Sequence, residues 1–68
     1  APEVRRIVAQ RLPAALLEAF CTDDDWVVRW EAAARAQGAV LQRFLADAEE
    51  EVRQRAHERL NELEPAHG

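Results

Sequence analysis

The dipeptide Val-Arg occurs at Val4-Arg5, Val28-Arg29 and Val52-Arg53, each pair displaced from the last by 24 residues. The same offset aligns Arg11 with Arg35 and Arg59, Ala15 with Ala39, Leu17 with Leu41, Phe20 with Phe44, and Asp23 with Asp47. A fixed period of this length restricts a chain to stacked architectures. Each unit is too small to enclose a core and buries its apolar face on its neighbours.

Within a unit, the spacing of apolar residues predicts a helix followed by a shorter helical segment. Val4, Ile7, Val8 and Leu12 recur at steps of three and four, as do Val28, Ala32 and Ala36, then Val52, Ala56, Leu60 and Leu63. These are the expected stacking faces. Pro13 and Gly38 then break the chain, after which Leu16, Leu17, Phe20 and Cys21 match Val40, Leu41, Phe44 and Leu45. Helices are expected over 2–12, 25–36 and 50–63, with short helical turns, in part 3₁₀, over 14–21 and 39–46. Pro2 suits a first turn, and the acids of 23–25 and 47–51 suit N-caps and the positive end of the helix dipole. No strand is expected.

The pattern resembles the leucine-rich repeat variant family, whose 24-residue unit carries an acid, Val-Arg, an Ala-containing helix, a small or Pro break and a Leu-rich turn. The resemblance is carried by Pro2-Glu3-Val4-Arg5 through Ala9 and Pro13 to Leu17 and Asp23, by Val28-Arg29 through Ala33 to Leu41 and Asp47, and by Val52-Arg53. HEAT-like repeats share part of this logic but usually run longer. The resemblance implies an all-α, right-handed superhelical solenoid of alternating α and 3₁₀ helices. One domain of about two and a half repeats follows, divided as 1–24, 25–48 and 49–68. Its last unit ends in a polar cap at Glu62, Glu64 and Pro65. Ala1 to Glu3 offer no comparable cap, so any further part of the array is expected ahead of Ala1. Roughly three repeats are usually needed for a stable stack. The chain is therefore expected to belong to a longer array, to self-associate or to lean on a partner.

The resemblance also implies a link to iron–sulfur and nitrogen-fixation chemistry, since the family's best-known member carries a cysteine-ligated cluster module. Cys21 is the only cysteine here, and a four-iron cluster normally takes four thiolates. The fold is carried over and the cluster is not, and no cofactor or metal site is expected. Cys21 aligns with Leu45 and reads as a small buried hydrophobe. His57 takes a place held by Ala9 and Ala33, and neither it nor His67 has a ligand spacing. Asp23, Asp24 and Asp25 lack the alternating oxygen donors of a calcium loop.

Lys, Ser, Tyr and Met are absent, which removes lysine Schiff bases, serine nucleophiles and tyrosine acids. No carboxylate is paired with a base or a pocket-forming glycine loop, so no enzyme is expected. Nine Arg stand against thirteen acids for a net charge of −4, which makes nucleic acid an unlikely partner. No apolar run reaches the roughly 20 residues of a membrane span, and a cytoplasmic location is the default expectation.

Two residue sets stand out. Arg5, Arg29 and Arg53, with Asp23 and Asp47, recur as a ladder. Its guanidinium groups either bind carboxylates of a partner or, as their presence in every unit favours, pair with Asp of a neighbouring repeat. The second set is where the units disagree: Trp26, Val27 and Trp30 align with Pro2, Glu3 and Arg6 and with Glu50, Glu51 and Gln54. Trp26 and Trp30 share a helix face at i, i+4. An apolar triplet at positions that elsewhere accept polar residues is the expected protein-binding patch, for a partner or for a second copy in a homodimer. The alternative is that the pair packs on flanking helices.

Overall fold

In the computed structural model, residues 1–64 are described; the expectations for Pro65 and His67 lie outside them. Helix α1 (Pro2–Arg11) leads into a 3₁₀ segment (Ala14–Thr22), followed by α2 (Trp26–Ala33), α3 (Gly38–Leu45) and α4 (Glu50–Leu63). The described residues form helices and connecting turns, with no strand. Helix α2 packs between α1 and α4, while the 3₁₀ segment and α3 form a second layer against α2 and α4. The result is an elongated body, 44 × 24 × 17 Å, in keeping with a short helical-repeat solenoid.

The two short segments differ. Three residues per turn set Ala14, Leu17 and Phe20 along one edge of the 3₁₀ segment, and all three join the core. Over 38–45 the chain is α-helical, and Leu41 and Phe44 are fully buried, with Val40 and Leu45 beside them. Gly38 begins α3 at φ +58°, a left-handed conformation that favours glycine. Helix α2 ends three residues sooner than the apolar spacing predicts, although Ala36 is still buried beyond it.

The core is one cluster of Ala9, Leu17, Val28, Ala32, Ala33, Ala36, Leu41, Phe44, Val52 and Ala56, all essentially inaccessible. Small residues on the long helices let α1, α2 and α4 approach closely, and the bulk comes from Leu17, Leu41 and Phe44 of the second layer. One expectation fails. Val4, Ile7 and Val8 are 61, 49 and 39% exposed, although Val28, Ala32, Val52 and Ala56, their repeat equivalents at positions 4 and 8, are buried. The later residues are covered by elements ahead of them in the stack, and no described element packs on that face of α1.

Candidate partner-binding surface

Guanidinium groups hold the loops between units in a recurring geometry, but each arginine pairs with the Asp at the end of its own unit, not with the Asp of a neighbouring repeat as expected. Arg5 Nε donates to Asp23 Oδ2 at 2.8 Å, and Arg29 Nε donates to Asp47 Oδ2 at the same distance. Each Asp also accepts, through Oδ1, the backbone N–H two residues on, Asp25 and Glu49 respectively, at 2.9 Å. A second arm reaches backwards: Arg29 Nη1 donates to the Asp23 carbonyl at 2.6 Å and Arg53 Nη1 to the Asp47 carbonyl at 2.7 Å. Arg29 therefore ties the loop before α2 to the loop before α4. This loop is thereby fixed without a long turn motif, and the carboxylates of the ladder are spoken for within the chain.

The third arginine series acts on the preceding helix. Arg35 Nη1 donates to the Ala9 carbonyl, and Arg59 Nε to the Ala36 carbonyl, both at 2.9 Å. Their place near the C-termini of their own helices would suit the dipole there. They satisfy orphan carbonyls of the neighbouring repeat instead. A pair without a sequence precedent is Arg6 Nε to Asp25 Oδ2 at 2.8 Å; Asp25 is also the N-cap of α2, accepting from Val28 N at 3.1 Å. Neither Asp25 nor Arg6 repeats at the 24-residue offset, so periodicity carried no signal for it.

Bonding to Arg5 holds the Asp23 carboxyl below its ordinary range, and bonding to Arg6 does the same for Asp25. A carboxylate whose folded value lies below its unfolded value stabilises the fold above the unfolded value, about pH 3.9 for Asp, and loses that contribution as pH falls through the folded value. The thermal midpoint should therefore be insensitive to these groups from pH 7 to 5 and decline below about pH 4. In the Asp23→Asn, Asp25→Asn double variant the midpoint should start lower and decline less, as differential scanning calorimetry across that range would show.

A groove of about 400 Å³ lies over the ladder, lined by residues that include Cys21, Asp23, Arg29, Arg43 and Asp47. Arg29, Asp23 and Asp47 are engaged with one another there, and Arg43 meets Glu18 at 3.4 Å. Cys21 is half-buried against the core, and burial pushes its thiol up, so it stays protonated at neutral pH. Among the described residues, no cluster of three or more His, Cys, Asp or Glu has the arrangement of a metal site.

The structure divides the tryptophan pair. Trp26 is 41% exposed at the start of α2. Trp30, expected to share that surface, is half-buried against the core, and the Arg55 guanidinium lies 5.9 Å from its ring centre. That distance is within cation–π range. Val27 is half-buried. The physical reason is the neighbour across the junction: α4 presents a long Arg55 side chain that covers Trp30, whereas Trp26 lies a turn closer to the N-terminus of α2. Of the three residues, Trp26 is exposed, while Val27 and Trp30 are half-buried.

The family comparison covers one unit. Residues 2–25 match the family model described as leucine rich repeat variant. That segment is similar to the repeat unit of this family. Within this segment Arg5 pairs with Asp23, and Leu17 is fully buried. No curated protein and no solved structure matches the chain. Among the described residues, no helix is long and apolar enough to cross a membrane.

Proposed function

We propose that this chain is a non-catalytic protein–protein interaction module, one domain of three units at 1–24, 25–48 and 49–68, that seats a protein partner on Trp26. Self-association through the same surface is one form of this function, and a cytoplasmic location suits it. The observation that carries the reading is the exposure of Trp26 on the middle helix, at a position that is Pro2 in the first unit and Glu50 in the third. A tryptophan offers the largest apolar surface of any side chain at small entropic cost, which is why it dominates interface energetics. Trp30, one turn on, lies beneath the Arg55 guanidinium.

The arginines favour protein over nucleic acid. Arg5, Arg6, Arg29, Arg43, Arg55 and Arg59 all stand in ion pairs with the chain's own carboxylates, so the basic groups offer little to phosphates. Catalysis finds no support in the same arrangement, because Asp23, Asp25 and Asp47 each serve a guanidinium or a backbone N–H.

The test is affinity capture from source extract with the native chain and Trp26→Ala side by side, with Leu63→Ala as an equally exposed apolar control. Trp26→Ala should keep its circular dichroism spectrum and lose a bound protein, at a cost of at least about 2 kcal/mol, or roughly 30-fold in affinity. Equal retention by all three proteins would remove Trp26 from the interface.

A further inference from the structure

We infer that the open face of α1 is a socket for one further helical repeat, stacked in the same head-to-tail sense as the two internal junctions, and independent of the surface at Trp26. Three observations meet on this face. The first is apolar. Val4 and Val8 are exposed, whereas their equivalents Val28 and Ala32 are sealed in the junction with the first unit, and Val52 and Ala56 in the junction with the second.

The second is the unfilled arm of Arg5. Its Nε and Nη2 reach Asp23 and Asp24, as Arg29 reaches Asp47, yet its Nη1 meets no carbonyl among the described residues. In Arg29 and Arg53 the Nη1 group takes the loop carbonyl six residues back. The third is Arg11, which forms no hydrogen bond or ion pair among the described residues. Its equivalents Arg35 and Arg59 each take backbone carbonyls near the end of the helix in the unit before. Two guanidinium donors thus flank an apolar strip, at the places where the fold elsewhere supplies acceptors.

The chemistry of the occupant follows from those acceptors. It is a helical repeat whose helix ends in free carbonyls opposite Arg11, and whose final loop offers a carbonyl to Arg5. Its side chain facing Ile7 is apolar. At the internal junctions the equivalents of Ile7 are polar and meet polar or aromatic residues at two different places of the unit before: Glu31 meets Gln10, and Arg55 lies over Trp30. A second copy of this chain supplies the wrong surface. The trailing face of α4 carries exposed His57 where Ala9 and Ala33 are buried.

The unit 25–48 fits the description, with Ala33, Leu41, Trp30 and the Asp47 carbonyl at the required positions. The experiment joins a copy of residues 25–48 directly ahead of Ala1 and places Val4→Asp in both the native and the extended protein. The extended protein should melt higher than the native chain. Val4→Asp should shift the native midpoint by less than about 3 °C, because Val4 is exposed, and lower the extended one by about 10 °C or more, because the carboxylate would then be buried. Equal shifts in the two proteins, or protease trimming of the added unit back to the original chain, would overturn the inference. So would sedimentation of the native chain as a dimer that Val4→Asp dissolves, since the face would then belong to a second copy.

Discussion

Phe44→Ala should abolish most of the folding free energy of this chain. Phe44 is fully inaccessible near the C-terminal end of α3, in the core shared by all four α-helices and the 3₁₀ segment. Truncating a buried Phe to Ala costs about 3–5 kcal/mol, from lost transfer free energy and the cavity left behind. A 68-residue domain has about 3–10 kcal/mol in total, at roughly 0.05–0.15 kcal/mol per residue. The variant should therefore be largely unfolded at 37 °C by circular dichroism. Phe20→Ala supplies the internal comparison. It holds the same place in the repeat but is only half-buried, so its loss should be visibly smaller. Equal losses at the two positions would contradict the packing described for the second layer.

Asp47→Ala should be the most damaging change at a polar residue. The Asp47 side chain is 6% exposed and its partner Arg29 15%, so the pair is largely removed from water. Removing the carboxylate leaves a shielded guanidinium with only the Asp23 carbonyl to bond, and leaves the Glu49 N–H without its acceptor. Breaking such a pair by deleting one partner costs about 3 kcal/mol, well above the 0.2–1 kcal/mol of an exposed ion pair. For a domain of this size that corresponds to a fall in thermal midpoint of about 12 °C or more. Asp24→Ala provides the contrast: its carboxylate also bonds Arg5, at 3.1 Å, but is 94% exposed, and its loss should shift the midpoint little. A similar shift for the two variants would mean that the ladder is ornamental to stability.

Much of the fold was legible because the 24-residue period is both a sequence and a structural quantity. The helix over 50–63 has the extent its apolar spacing predicts, and the break at Pro13 separates α1 from the 3₁₀ segment as expected. Arg29 and Asp47 meet because every unit places the same residues at the same step. What periodicity could not show is what differs between units. It assigned Val4 and Val8 to a stacking face by analogy with Val28 and Ala32, but whether such a face is covered depends on what lies beside it. It treated Trp26 and Trp30 alike because i, i+4 spacing places them together on one helix. The neighbour that separates them, Arg55, belongs to another helix and another unit. The Arg6–Asp25 pair was hidden for a related reason, since neither residue recurs at the offset that revealed the other junction pairs.

The account turns on Trp26 as the seat of a protein partner, and photo-crosslinking tests this most directly. A benzophenone side chain would be placed at position 26, and separately at the exposed Ala19 on the other layer, in the chain expressed in its source cells. The account predicts a discrete adduct from position 26, to another protein or to a second copy, and none from position 19. Adducts from neither position, or equally from both, would contradict it.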